Sequence, residues 1–301
     1  KLRTKNFKKL ISNYKDTIAN IASNNIYTIC YNFMPIVDWT RTQLDFKLPT
    51  DGLALKFNYL QIIIFEMYIL KLKDLERRYT FKQIKNAEKF FKSMNTNDIK
   101  NLKLAVMGGL PASETKYSIN EFKKMLNAYK KVTNEDLKQN LREFIKEIMP
   151  VAEENNVKMG IHPDDPPIPL FGVPRIVSTL EDYKYIFDSY KSSCNGMTFC
   201  AGSLASNFNN DVYKIFHKFK KRVNFIHLRN VKKEKNTKSF YESNHLKGDV
   251  DFVKLIKMIL KEEKRRSKIK KIEIPMRPDH GHSLLDDQSK KHFNPGYTAI
   301  G

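Results

Sequence analysis

The sequence predicts an α/β fold on the plan of a (β/α)8 TIM barrel, and three observations predict it. Short β-branched or aromatic runs alternate with helical apolar periods, the pattern of a mainly parallel sheet with right-handed crossovers. Four of those runs end on metal-ligand types: His162 after KMGI, Cys200 after GMTF, His227 after VNFI, and Asp279 just past IEIPMR. Strand C-termini of a barrel converge on one site whatever their separation in sequence. Finally, 301 residues that are 41% hydrophobic can bury one sizeable core, and no Pro- or Ser-rich linker divides them.

Taken in order, positions 4–23 carry Phe7, Leu10, Ile11, Tyr14, Ile18 and Ile21, a helical period. Asn24 and Asn25 mark a turn, and NNIYTICYNF reads as the first strand. Positions 53–100 read as a helical insertion. Its run LALKFNYLQIIIFEMYILKL is too short, and too charged at its ends, to cross a membrane. A buried helix or a subunit contact is expected there, and the chain is expected to form a homo-oligomer, a dimer. NLKLAVMGGLP reads as a second strand and 119–155 as helical, with helices near 179–192, 209–220 and 249–266 between the ligand-bearing strands. This gives six strands where a closed barrel needs eight. Because the chain opens inside a helical pattern and its first Met is Met34, the expectation is a single domain over 1–301. It would lack its first two βα units, and its final helix would be cut at Gly301.

Composition narrows the function. With no run of 18 apolar residues and no apolar signal core, the expectation is a soluble, unsecreted chain without a membrane partner. Three cysteines, Cys30, Cys194 and Cys200, are too few for a disulfide framework and favour a reducing, cytoplasmic setting. The formal charge of +21, from 54 basic and 33 acidic residues, is spread through Asn- and Ile-rich helices and reads as solvated surface rather than a nucleic-acid footprint. The densest block, KEEKRRSKIKK, lacks the interleaved aromatics that single-strand binding uses.

The chemistry gathers in a few motifs. IHPDDPPIPLFGVPR holds five prolines, a stiff loop at the active face. Behind His162, Asp164 and Asp165 offer partners for its ring, and Asp164 is also a candidate substrate contact. Arg175 either meets an anion or caps the next helix. In GMTFCAGSLASN, Cys200 ends the apolar run at a strand terminus and is expected as a thiolate ligand, whereas Cys194 sits in the preceding turn and has no expected role. FIHLRN places Arg229 two residues after His227 and so on the same strand face, where a guanidinium would meet a substrate carboxylate. His245, in SFYESNHLKGDVDF, is expected to touch substrate. In PMRPDHGHSLLDD, Asp279 is the fourth ligand and His280 stands within reach of substrate as acid or base. One thiolate, two imidazoles and one carboxylate disfavour Mg2+ and Ca2+. A site that keeps positions open for substrate suits Mn2+ or Fe2+.

CYNFMPIVDWTRT, IHPDDPPIPLFGVPRIVSTLEDY, TFCAGS, FIHLRN, SFYESNHLKGDVD and IPMRPDHGHSLLDD ending in NPGYTAIG closely resemble the mannonate dehydratase family of xylose-isomerase-like barrels. The resemblance runs over essentially the whole chain. It implies a lyase of glucuronate catabolism acting on a small sugar acid, D-mannonate, and yielding 2-keto-3-deoxy-D-gluconate. A divalent metal would act as Lewis acid, with His280 and Tyr297 as the proton-transfer pair in an order left open. Two other readings compete. A sugar isomerase or epimerase on the same barrel would lean on carboxylate ligands, and no Glu stands at the four ligand-bearing strand ends. A nucleic-acid-binding or nuclease barrel would need more carboxylates and interleaved aromatics.

Overall fold

The structure, a computed structural model, describes residues 1–109, 117–235, 237–269, 273–284 and 287. Its centre is a parallel sheet of β1 (Thr28–Tyr31), β4 (Lys158–Ile161), β5 (Asn195–Cys200), β6 (Val223–Leu228) and β9 (Met276–Pro278), hydrogen-bonded in that order. Spatial order follows chain order, as successive right-handed βα units require, and the sheet curls into a half barrel. Every residue of β5 is buried, which explains its unbroken apolar run: a strand covered on both faces has no polar side to alternate with.

Helices cover the outer face. α1 (Phe7–Ser23) and α6 (Asn134–Glu154) pack together beside β1 and β4, and α7 (Leu180–Ser189), α9 (Val212–Phe219) and α10 (Phe252–Lys268) follow the later strands. α6 buries Leu137, Leu141, Ile145, Ile148, Met149 and Ala152, a stripe at helical spacing. Thr133 and Asp136 form a reciprocal capping box at its start, as Thr179 and Asp182 do for α7. The short α8 (Ala201–Ser206) begins directly after Cys200, and α5 (Ile119–Tyr129) precedes α6.

Three expectations change. NLKLAVM is not a strand: it belongs to α4 (Thr96–Met107), opened by a capping box between Asn95 and Asp98, with Leu102, Ala105 and Val106 buried on one face. Positions 53–57 are not helical but form β3 (Leu53–Phe57), paired with β2 (Gln43–Lys47). Helix begins at α2 (Tyr59–Ile64), widens into a π turn at Phe65–Ile69, and resumes in α3 (Phe81–Ser93). The hairpin joins β8 (Phe240–Glu242) and β7 (Val231–Lys233) in a four-stranded antiparallel sheet of order β2-β3-β8-β7, which the sequence reading did not anticipate. Three-residue strands are too short to carry a readable period. This second sheet matters to the site because Leu53 and Ser283 exchange backbone hydrogen bonds of 2.9 and 2.8 Å, tying the loop of Asp279 and His280 to the hairpin.

Candidate metal centre and active-site cleft

β4, β5 and β6 deliver three donors to one point. His162 follows β4, and its backbone N–H donates to Tyr31 O across the β1 edge (2.7 Å). Cys200 ends β5 directly opposite His227 of β6 in the strand register. The donor atoms of His162, Cys200 and His227 all lie within 4.8 Å of one another, and the two imidazoles are 5.1 Å apart. His162 Nδ1 contacts Pro163 O at 2.7 Å. A carbonyl only accepts, so Nδ1 carries the hydrogen and Nε2 is left for a ligand bond.

The electrostatics suit a cation. Burial alone would push the Cys200 thiol up, but the His162 charge, hydrogen bonds from His162 and His227, and the Arg229 charge hold it well below its ordinary value. Burial opposes the His162 imidazolium too, yet the thiolate beside it lifts that group to about 9. Each group thus favours the charged form of the other. His227 Nδ1 is buried without a hydrogen-bond partner. It lies 3.5 Å from Asp279 Oδ2, and Arg277 donates to the other oxygen of that carboxylate (2.8 Å). Asp279 is beside the three-donor group rather than within it.

A cleft of about 140 Å³ opens over these residues, lined by Asn32, Met34, Asp38, Trp39, Asp165, Arg229, Arg277 and His280 besides the two imidazoles and Asp279. Two larger hollows, of about 470 and 450 Å³, contain neither His nor Cys, so chemistry rather than volume singles out the smaller one. Beneath the cleft two guanidiniums and two carboxylates close a ring, of which Asp165 and Arg229 reach the cleft lining. Arg41 donates to both oxygens of Asp165 (3.0 Å each) and to Glu242 (2.8 Å). Arg229 donates to Glu242 (2.7 and 2.8 Å) and to Asp165 (2.7 Å). All four side chains are at most 3% exposed. A Cβ on Gly202 would stand 2.7 Å from Arg229 Cγ, so the glycine opens the path by which Arg229 reaches its partners.

With this geometry in view, comparison with known proteins is decisive. A family model described as D-mannonate dehydratase (UxuA) matches residues 1–301. The chain belongs to the D-mannonate dehydratase family. Its activity is that of a carbon–oxygen hydro-lyase. Mannonate dehydratases of Marinomonas sp. (strain MWYL1) and Chromohalobacter salexigens are each 40% identical, over 100% and 97% of this chain and 77% and 74% of their own lengths. The crystal structure of mannonate dehydratase from Streptococcus suis serotype 2 superposes with a TM-score of 0.71 at 33% identity, covering 99% of this chain and 68% of that one.

Other residues singled out in the sequence take different places. Four of the five N–H groups of Arg229 are committed, the fourth to Ser203 Oγ (2.8 Å). Arg229 lines the cleft with its fork already held by protein partners. Asp164 turns away from His162: it accepts from Val177 N (2.7 Å) and Ser178 Oγ (3.1 Å) and faces Arg175. Arg175 donates to Val37 O and Asp38 O, so this buried pair pins the proline loop to the loop after β1. Of the two aspartates, Asp165 reaches the cleft. His245 is half-buried against Phe252 and is not among the residues lining the cleft. Tyr297 lies outside the described residues.

Arg41 and Glu242 escaped the sequence reading. Glu242 ends a three-residue strand of the antiparallel sheet, away from the longer parallel runs whose ends carry the ligand types. A charge at the close of the apolar FY pair was the available signal.

Proposed function

We propose that this chain converts D-mannonate to 2-keto-3-deoxy-D-gluconate in the glucuronate branch of cytoplasmic sugar-acid breakdown, with His162, Cys200, His227 and Asp279 holding one Mn2+ or Fe2+. The observation that carries this reading is the convergence of two imidazoles and a thiolate within 4.8 Å under a cleft bounded by Asp279, Arg277 and His280. One thiolate argues against Mg2+ and Ca2+, and a closed four-ligand zinc site would leave no position for substrate. When bound, the ion would supply Lewis-acid stabilisation of the substrate carboxylate and of charge developing at C2.

The remaining work falls to side chains. A proton leaves C2 and the C3 hydroxyl leaves as water, giving an enol that tautomerises to the 2-keto acid, so one group takes a proton and another gives one. His280 lies on the cleft wall with Nδ1 3.2 Å from Glu242 Oε1 and Nε2 3.8 Å from Asp279 Oδ2, and its imidazole is the group that would exchange a proton with substrate. By family resemblance Tyr297 is the second group. The sugar acid is drawn to a strongly basic chain whose Arg277 is half-exposed at the cleft. The chain also acts as a homodimer, a reading supported by the exposed Phe81 and Leu104 on α3 and α4 (76% and 60%); light scattering that gives a monomer mass removes that part.

The test is an assay for 2-keto acid with D-mannonate after chelation and readdition of Mn2+ or Fe2+. No product with either ion overturns the reaction. His280→Ala and Tyr297→Phe should depress kcat while metal content stays near one per chain. Metal loss from His280→Ala would make that residue a ligand.

A further inference from the structure

We propose that Glu242 is a positioning residue that fixes the His280 imidazole on the cleft wall, and that Arg41 and Arg229 in turn fix Glu242. This rests on the reading of His280 as a proton-transfer group and extends it to a residue that touches neither donor cluster nor cleft.

Two independent observations carry the inference. One is the geometry of the carboxylate. Glu242 is fully buried at the end of β8. Both its oxygens are gripped by guanidiniums: Oε2 by Arg229, and Oε1 by Arg41 and Arg229 together. Oε1 also stands 3.2 Å from His280 Nδ1. A carboxylate held by guanidiniums at both oxygens has its rotamer restricted to the one that presents Oε1 to His280. The backbone of the same residue holds a second point on that loop, since Glu242 O lies 3.0 Å from His282 Nε2.

The other observation is the backbone of His280, at φ 54. Left-handed backbone is uncommon outside glycine, and it persists when the surroundings over-determine it. Here the surroundings are the Glu242 contacts on His280 and His282 and the paired Leu53 and Ser283. The arrangement aims the ring between Glu242 and Asp279, whose Oδ2 lies 3.8 Å from Nε2, with Trp39 edge-on at 6.3 Å. A proton-transfer group works only within hydrogen-bond reach of the atom it serves, so the orientation itself is functional.

The experiment is a double-mutant cycle in the metal-loaded enzyme with Glu242→Gln and His280→Ala, reading kcat, KM, metal content and the urea unfolding midpoint. Glu242→Gln should lower kcat by about 10- to 100-fold, within the range a proton-transfer contribution spans, with KM changed by less than about threefold and metal content unchanged. In the His280→Ala background it should cause no further loss of kcat, because the group it acts through is gone. An equal loss in both backgrounds, or wild-type kcat in Glu242→Gln, overturns the proposal. If Glu242→Gln does not fold, Glu242→Asp retains the ring's charge while withdrawing the carboxylate from His280, and the same cycle applies. If the wild-type enzyme does not turn over D-mannonate, the functional reading fails. The coupling of the two substitutions in unfolding midpoint then tests the contact alone, and additive effects there overturn it.

Discussion

Replacing Cys200 by Ser should strip the site of its metal, while replacing Cys194 should not. Cys200 supplies the only anionic donor within the group of three. Its thiol is already held well below the ordinary value by His162, so a metal binds it without first removing that proton. A serine hydroxyl stays protonated near neutrality and offers a weak neutral donor. Changes to groups that merely support metal ligands lower affinity by about 10- to 100-fold. Loss of a ligand should reach at least the upper figure, about 2.8 kcal/mol at 1.4 kcal/mol per tenfold. Cys194 is six residues earlier in the chain, just before β5, which at about 3.3 Å per residue puts its backbone roughly 20 Å back along an extended strand. Cys194 Sγ instead lies 3.5 Å from Lys158 Nζ. Cys194→Ser should therefore leave affinity within about twofold, its effect confined to the packing of one small buried group. Titration of both variants against a metal-buffered chelator reads the difference, and equal losses of affinity would refute the assignment of the thiolate.

Other outcomes follow from the same geometry. Metal binding at pH 7.5 should release about one proton, from His162: its value of about 9 lies above the ordinary 6.5, so affinity should rise with pH up to about 9 and level off beyond. Calorimetry in buffers of different ionisation enthalpy counts that proton, and release of none would contradict the raised value. Arg41→Met leaves Asp165 and Glu242 to share one buried guanidinium and should lower unfolding stability by about 3–5 kcal/mol; a urea-measured loss under about 1 kcal/mol would show that the ring is not electrostatically closed. Gly202→Ala drives a methyl to 2.7 Å from Arg229 Cγ and should cost about 1–3 kcal/mol by the same assay. Nucleic-acid binding should be weak and vanish by about 0.2 M salt, as dispersed surface lysines require; tight binding at that salt would reverse the reading of the charge.

The sequence by itself determined which strands exist at the heart of the site and where they end. A fully buried parallel strand writes an unbroken apolar run, and the residue that ends it faces the shared C-terminal edge. His162, Cys200 and His227 were therefore legible, as were α1, α6, α7, α9 and α10 with their 3.6-residue periods. NLKLAVM was misread because its apolar residues fit either period; the capping pair Asn95 and Asp98 was the discriminating signal. What the tertiary structure decided is which charge meets which. Adjacent residues on one strand or loop gave equal claims to Asp164 and Asp165, and only packing sent the first to Arg175 and the second to the cleft. Arg229 shares a strand face with His227, but its long side chain reaches past the pocket to partners from two other elements, Asp165 of the proline loop and Glu242 of β8. Hydrophobic burial is set by each element's own period. Ion pairing in the buried ring depends on contacts 13 to 201 positions apart between different elements, and no local pattern records those.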